Sequence, residues 1–401
     1  MLKSIYMKAA RTVSKNHKPG SSSEVLYLMS FPENNVHLLN QLSEYYGNRF
    51  IVCYKKNAFH EAKRLEKAGV RILPMDDSKT VFYEIIPHLT KSKLIFVDNY
   101  FPIIGAVDFH PDTKVIQLWH AVGAMKAFGW SSKRTQHDRK KDKERYQSVY
   151  KKHTHFVVAS KKMENVFREA WLATSNKMLH FGNPRCDIYF DKEFLKNARE
   201  EYAFHFPESK TKKVFMYAPT FREEGLKRAP MGFKQMNALL QQLDALLYVR
   251  LHPKESDLLK ELGNYSNIIT HIPGLSLEQI LPNIDVLISD YSSVPFEYTL
   301  ANPKGKCIFY VPDYIDYKEK IGLVDGYKDF LPGEMVQTQG ALMQLMKEML
   351  LPQNESEEKE SIGKKKELKK KPLTFQEFNQ VWNTKNNGMA TMRLMDYLRT
   401  L

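Results

Sequence analysis

Short apolar runs alternate with longer mixed stretches over most of this chain. From Glu24 onward, VLYLMS, RFIVCY, VRILP, KLIFVD, KVIQLWH and HFVVAS read as strands buried on both faces, because their apolar residues are consecutive rather than alternating. Helix-compatible stretches separate the first four runs, and Pro and Gly punctuate the gap before KVIQLWH. A second series follows: KVFMYAPTFRE, LYVRLHPKE, NIITHIP, DVLISDYSS and KCIFYVP. Such alternation predicts two doubly wound, parallel-sheet α/β domains. The turn HFGNPRCD, His180–Asp187, marks the expected division, giving domains at 24–180 and 181–351.

Three flanking stretches have other patterns. In 1–20, Leu2, Ile5, Tyr6, Ala9 and Val13 fall at helical spacing, with Lys3, Lys8, Arg11, Lys15 and Lys18 largely between them. This is a basic amphipathic helix, suited to an anionic membrane surface or to an ordinary surface position. Residues 353–371 are poor in apolar side chains and rich in Glu and Lys, which predicts a flexible, exposed insertion. In 372–401, Phe375, Phe378, Val381 and Trp382 fall at helical spacing, so this segment is expected to pack back on the body. Lys133–Lys152 reads as one strongly charged helix, with a solvated face or a face toward lipid phosphates.

Composition narrows the classes. A length of 401 residues fits two domains, and 43% hydrophobic residues supply their cores. No run approaches 18 apolar residues, and the first residues lack a signal-peptide pattern. Cys53, Cys186 and Cys307 lie far apart without a CxxC, which argues against a zinc site or disulfide framework and fits a reducing cytoplasm. A net charge of +14 implies an anionic partner: nucleic acid, a membrane surface or a phosphorylated substrate.

The candidate chemistry sits where strands end. In DVLISDYSSVPFE, Asp285–Glu297, an apolar run leads into Ser289, Asp290, Ser292 and Ser293, and Pro295 and Glu297 suit the first helical turn. The serines either cap that helix or, with its backbone N–H groups, form an anion site. Other strand runs in this half lead to Pro219, Thr220 and Arg222, and to Arg250 and His252. In a parallel sheet these ends share one edge, and two arginines, a histidine and two serines there suit a diphosphate. In the first half, Asp98, Trp119, His120 and the small-residue loop at Gly123 stand at strand ends in the same way. No GxGxxG follows the first strand, and no Walker A or HExxH motif is present, which disfavours a dinucleotide oxidoreductase, a P-loop NTPase and a zinc protease. No aspartate pair stands out as a metal–diphosphate clamp, and no cofactor is implied.

From Glu24 to the C-terminus the chain resembles the CDP-glycerol glycerophosphotransferase family of wall teichoic acid synthesis. The resemblance rests on QLWHAVGAMKAFG, FGNPRCD, YAPTFRE, RLHPKE, ISDYSSVPFEY and GLVDGYKDFLPG, in this order. VDNYF and WHAVGAMKAFG look more like the priming members than the polymerases, which more often carry a WHGTPLK-like version. The Lys-rich insertion before Pro372 departs from the family pattern.

The resemblance implies a GT-B-like fold, two Rossmann-type domains facing a cleft, with the donor in the C-terminal half. It implies transfer of glycerol phosphate from CDP-glycerol to the undecaprenyl-diphosphate-linked disaccharide N-acetylmannosaminyl-N-acetylglucosamine, with release of CMP. It also implies peripheral attachment to the cytoplasmic face of the membrane, with room for association with other teichoic acid enzymes. Carried over by motif, His120 and His252 are the two key histidines. Arg185, Pro219, Thr220, Arg222, Arg250, Ser292, Ser293 and Glu297 fall on donor-binding positions. His120, as an imidazole of near-neutral pKa, suits the general base. His252, Arg222 and Arg250 suit stabilisation of diphosphate charge, and Asp98 suits orienting His120 or meeting the acceptor. The rivals are a glycerol- or ribitol-phosphate polymerase of the same family, a nucleotide-sugar GT-B glycosyltransferase, and a non-catalytic basic nucleic-acid-binding protein. No RNA- or DNA-binding motif supports the last, and nucleic acid is not an expected partner.

Overall fold

The computed structural model describes residues 2–20, 22–32, 35–222, 231–251, 256–350 and 371–401. It divides into two units, Met1–Asp191 with Val381–Leu401, and Lys192–Gln380.

The first unit is built on β1 (Ser22–Met29), β2 (Phe50–Tyr54), β3 (Arg71–Pro74), β4 (Ser92–Val97), β5 (Lys114–Gln117), β6 (His155–Val157) and β7 (Met178–Leu179). All pair in parallel, in the order β3-β2-β1-β4-β5-β6-β7. Each apolar run expected here is a strand. Val25 to Met29 are all buried, as a strand covered on both faces requires. The short β7 carries too little pattern to be seen beforehand. Strand order reverses direction between β1 and β4, so their carboxyl ends flank the crevice where such sheets bind ligands.

The second unit repeats the plan with β8 (Lys213–Tyr217), β9 (Ala245–Val249), β10 (Ile268–Ile269), β11 (Val286–Ser289), β12 (Lys306–Tyr310) and β13 (Gly333–Val336). Its order, β10-β9-β8-β11-β12-β13, is again parallel throughout and places the switch between β8 and β11. The core on one face of this sheet joins Phe215, Leu247 and Ile288 to Met236, Leu240 and Leu342 from the helices.

The units divide after Asp191 rather than near 180, for a reason visible at the turn. The Asp187 carboxylate accepts the N–H groups of Ala390 (2.9 Å) and Thr391 (2.7 Å), satisfying the start of helix Ala390–Arg399. Leu394, Met395 and Leu398 of that helix enter the core around Tyr27 and Leu118. Gly182 adopts φ +90, and a Cβ there would collide with the Lys385 carbonyl. The C-terminal segment thus serves both units. Helix Phe375–Trp382 begins on the second, where Phe378 lies 5.1 Å from Phe296 and Asn379 exchanges hydrogen bonds with Thr299 (2.8 and 3.2 Å). Of the predicted insertion, 353–370 lie outside the described residues.

Two helical expectations change. Helix Leu2–Asn16 forms, but its packed stripe is Tyr6, Ala10, Val13 and Ser14, while Ile5 and Ala9 face outward. The Ser14 hydroxyl accepts the Asp108 N–H at 3.0 Å, and Tyr6 packs on Phe82. The apolar stripe is therefore used within the unit, and the outer face shows Lys8, Arg11 and Lys15. Lys133–Lys152 is not one helix but two, Lys133–His137 and Lys140–Tyr150. Asp138 and Arg139 are extended (ψ 155 and 148), and the Asp138 carboxylate accepts the Tyr146 hydroxyl at 2.9 Å. Among the described residues no helix is long and apolar enough to cross a membrane.

Candidate active site

In the first unit, the fully buried Asp98 follows β4 directly. Its carboxylate accepts the Ser30 N–H (2.8 Å to Oδ2), the Ser30 hydroxyl (2.9 Å) and the Phe31 N–H (3.0 Å), tying down the residues after β1. Burial raises its pKa to about 6, against the opposing pull of those hydrogen bonds. The backbone carbonyl of Asp98 accepts from His120 Nδ1 at 3.2 Å. A carbonyl can only accept, so Nδ1 carries the proton and Nε2 of the neutral ring presents a lone pair.

The loop after β5 brings His120 there. Gln117 Oε1 accepts the Trp119 N–H at 2.9 Å, and Trp119 takes φ +63, a left-handed conformation costing about 1–3 kcal/mol for a non-glycine residue. The Trp119 ring recovers packing against Phe128 (4.9 Å, stacked) and edge-on to Trp171 (4.9 Å). The His120 ring lies 4.1 Å from Trp119 and stacks at 4.1 Å and 14° on Phe31. Arg185 Nη1 donates to the His120 carbonyl at 3.2 Å. Burial, chiefly, lowers the His120 pKa to about 3; the Asp98 carbonyl opposes this, and Lys126 and Arg185 add to it. This corrects the expectation of a near-neutral imidazole: removal from water disfavours the cation.

The structure thus gathers Asp98, Trp119, His120 and Arg185 in one unit, with Gly123 buried in the same loop. Arg185 belongs with His120 rather than in the second unit, where the motif reading placed it. Asp98 orients His120 through its carbonyl, while its carboxylate faces away onto Ser30 and Phe31.

In the second unit, Asp290 follows β11 and is also buried. Its Oδ1 accepts both the N–H and the hydroxyl of Thr220 at 2.8 Å, and the Tyr291 N–H at 2.6 Å. Arg222 lies 2.9 Å from Asp290 Oδ2 through Nη2, grips Asp313 through Nε (2.7 Å) and Nη2 (3.1 Å), and donates from Nη1 to the Thr220 carbonyl (2.7 Å). The Tyr291 and Tyr317 rings, stacked at 3.9 Å, lie 5.7 Å from its guanidinium, and the two aspartates hold its pKa above the usual range. Four of its five N–H groups are accounted for by these contacts, so in this structure Arg222 braces the loop beside the position where its charge is expected to meet the donor.

Pro219 is half-buried beside Thr220. Arg250 follows β9, where its N–H reaches the Tyr217 carbonyl at 2.9 Å; its side chain is exposed and makes no hydrogen bond or ion pair to the described residues. Ser293 stands at the start of helix Val294–Ala301 but its hydroxyl makes no capping bond, while the Ser292 hydroxyl accepts the Val294 N–H at 3.4 Å. Ser293 is thus not a plain side-chain cap. Glu297 is buried in the first turn. His252 lies outside the described residues. Sequence reasoning missed Asp313, Tyr291, Tyr317, Ser30 and Phe31. The signal for Asp313 and for Ser30–Phe31 was their place just beyond a strand on the same sheet edge.

Two Rossmann-type parallel sheets, each with a buried aspartate closing its switch point, make up a GT-B-like fold. The chain belongs to the CDP-glycerol:poly(glycerophosphate) glycerophosphotransferase family, whose sequence profile matches residues 16–398. It is 31% identical over 389 residues to a teichoic acid glycerol-phosphate primase of Bacillus spizizenii, covering 94% of this chain and 92% of that protein. A teichoic acid poly(ribitol-phosphate) polymerase of the same organism is 30% identical over 65% of this chain but only 42% of its own length. The wall teichoic acid polymerase TagF, in a crystal soaked with CDPG, shares the fold with a TM-score of 0.73 at 18% identity, over 98% of this chain and 93% of that one. The chain is accordingly a transferase of teichoic acid biosynthesis.

Proposed function

We propose that this enzyme transfers one glycerol phosphate from CDP-glycerol to N-acetylmannosaminyl-N-acetylglucosaminyl diphospho-undecaprenol, as a priming step, at the cytoplasmic face of the membrane. The observation that carries the chemistry is the fixed tautomer of His120, whose Nδ1–H is held by the Asp98 carbonyl. The acceptor hydroxyl attacks the phosphorus bearing glycerol and gives its proton to His120 Nε2. The bond from that phosphorus to CMP breaks, and CMP leaves with the electron pair. An approaching diphosphate raises the proton affinity of a neutral, half-buried imidazole, so a pKa of about 3 without donor is compatible with a base in its presence.

Donor binding falls to the second unit. Arg250 offers an exposed guanidinium, Ser293 an uncommitted hydroxyl, and the helix start at Val294 its backbone N–H groups. Arg222 and Asp290 keep this edge in shape. His252 is assigned to diphosphate charge on its motif. A priming rather than polymerising role is supported by sequence coverage: the glycerol-phosphate primase relative matches along 92% of its length, the poly(ribitol-phosphate) polymerase relative along 42%. The outward basic face of the first helix supports peripheral attachment to anionic lipid.

The test is CMP release from CDP-glycerol with the lipid-linked disaccharide as acceptor. One glycerol phosphate added, then a stop, is expected. Continued addition makes the enzyme a polymerase, and release only with a pre-primed acceptor overturns the acceptor assignment.

A further inference from the structure

The first unit contains a cavity of about 400 Å³, a size ordinary for a small-molecule site. It opens at the carboxyl ends of β1, β2 and β4, the edge that carries His120. Its walls include Tyr6, Phe31, Lys55, Asn57, Asn99 and Tyr100. With Phe101 the lining holds four aromatic rings, two amides and one ammonium, set among Met75, Pro102 and Ile103. Rings cover the C–H face of a pyranose, amides bond hydroxyls in either direction, and an ammonium meets one anionic end.

Two relationships tie this cavity to the reaction. Phe31 lines it and also stacks on the His120 imidazole at 4.1 Å, so the cavity begins one ring away from that imidazole. Tyr6 comes from helix Leu2–Asn16, whose outer face carries Lys8, Arg11 and Lys15. One helix therefore presents cations outward and an aromatic wall inward.

We propose that this cavity holds the terminal sugar of the lipid-linked acceptor, and that Tyr6 makes the N-terminal helix part of the acceptor site. The proposal rests on the glycerophosphotransferase reading above. Lys55 is assigned to the acceptor's diphosphate, because the N-acetylated sugars carry no charge, and its contact with Asp76, 3.4 Å and solvent-exposed, is weak enough to yield.

Full-length Tyr6→Ala, Tyr6→Phe and Lys55→Ala proteins would be assayed with a short-chain, water-soluble diphospholipid disaccharide. CDP-glycerol affinity would be followed by calorimetry and folding by thermal melting. Tyr6→Ala and Lys55→Ala are expected to raise the acceptor KM about tenfold with CDP-glycerol affinity unchanged, while Tyr6→Phe stays near wild type. An unchanged acceptor KM in both alanine variants overturns the proposal, as does an equal loss of donor affinity. Failure of the wild type to turn over this acceptor would instead sink the functional reading. Ligand-observed NMR with the same disaccharide then decides the cavity: binding lost in both alanine variants upholds it, and binding absent from the wild type or undiminished in the variants overturns it.

Discussion

Asp98 and Asp290 hold the same place in their two sheets, and each receives at 2.8 Å the backbone N–H of a residue just beyond the first strand, Ser30 or Thr220. Each also accepts that residue's hydroxyl, at 2.9 and 2.8 Å. The two sheets therefore close their switch points with one device, a buried carboxylate and a Ser or Thr. They put it to different uses. Asp98 supports an imidazole through its carbonyl, and Asp290 supports a guanidinium through its carboxylate.

The Asp98 clamp makes stability and activity depend on pH in opposite directions. Its folded pKa of about 6 lies above the 3.8 of an unperturbed Asp, so the folded state binds more protons between pH 4 and 6. Stability from this group falls as pH rises through that window, by roughly 3 kcal/mol in total. Activity is expected to rise over the same range, because ionised Asp98 accepts all the Ser30 and Phe31 bonds that place Phe31 on His120. In Asp98→Asn the amide nitrogen faces backbone N–H groups. Urea unfolding from pH 4 to 7 should show this pH slope removed and a loss of about 1–3 kcal/mol at pH 7. A wild-type activity profile without an acid limb near pH 6 would contradict the assignment.

His120→Ala should lower kcat by about 10²–10⁴-fold while leaving CDP-glycerol affinity nearly unchanged. Stopped assays with calorimetry on the same protein separate the two effects. Near-wild-type turnover would remove His120 as the base.

Arg222 and Arg250 are expected to fail differently. Arg222→Met leaves the buried Asp290 beside Asp313 without their shared cation and should cost roughly 3–5 kcal/mol of stability. Arg250→Ala removes an exposed side chain and should leave the melting temperature unchanged, yet weaken CDP-glycerol binding about tenfold or more, as a charged hydrogen bond worth about 1.5–3 kcal/mol implies. Thermal melting and calorimetry on both variants give the comparison.

Two serines supply a matched pair. Ser160 caps helix Lys161–Trp171 by accepting the Met163 N–H at 3.1 Å, so Ser160→Ala should cost about 0.5–2 kcal/mol of stability without changing donor affinity. Ser293 caps nothing with its hydroxyl, so Ser293→Ala should leave stability alone and weaken donor binding. The reverse pattern would return Ser293 to a structural role.

The strand runs were legible because burial on both faces demands unbroken apolar stretches, and VLYLM or DVLIS can satisfy little else. The edge that carries the site followed from them, since parallel strands put all their carboxyl ends together. The first helix shows where legibility stopped. Its apolar spacing marked a helix, but the packed stripe was Tyr6, Ala10, Val13 and Ser14, chosen by the surface it met.

The sequence by itself thus determined two doubly wound sheets, the edge where their strands end and the residue types gathered there, because these depend on local periodicity and strand direction. Only the tertiary structure decided which groups are engaged. Arg222 and Arg250 both stand just beyond strands on one edge, yet one is locked between Asp290 and Asp313 and the other is exposed. The partner that separates them, Asp313, lies 91 residues from Arg222. Likewise the tautomer and lowered pKa of His120 come from the Asp98 carbonyl and from burial, neither of which a strand-end motif encodes. Hydrogen bonds and desolvation act through space between distant segments, and periodicity records only what a segment does for itself.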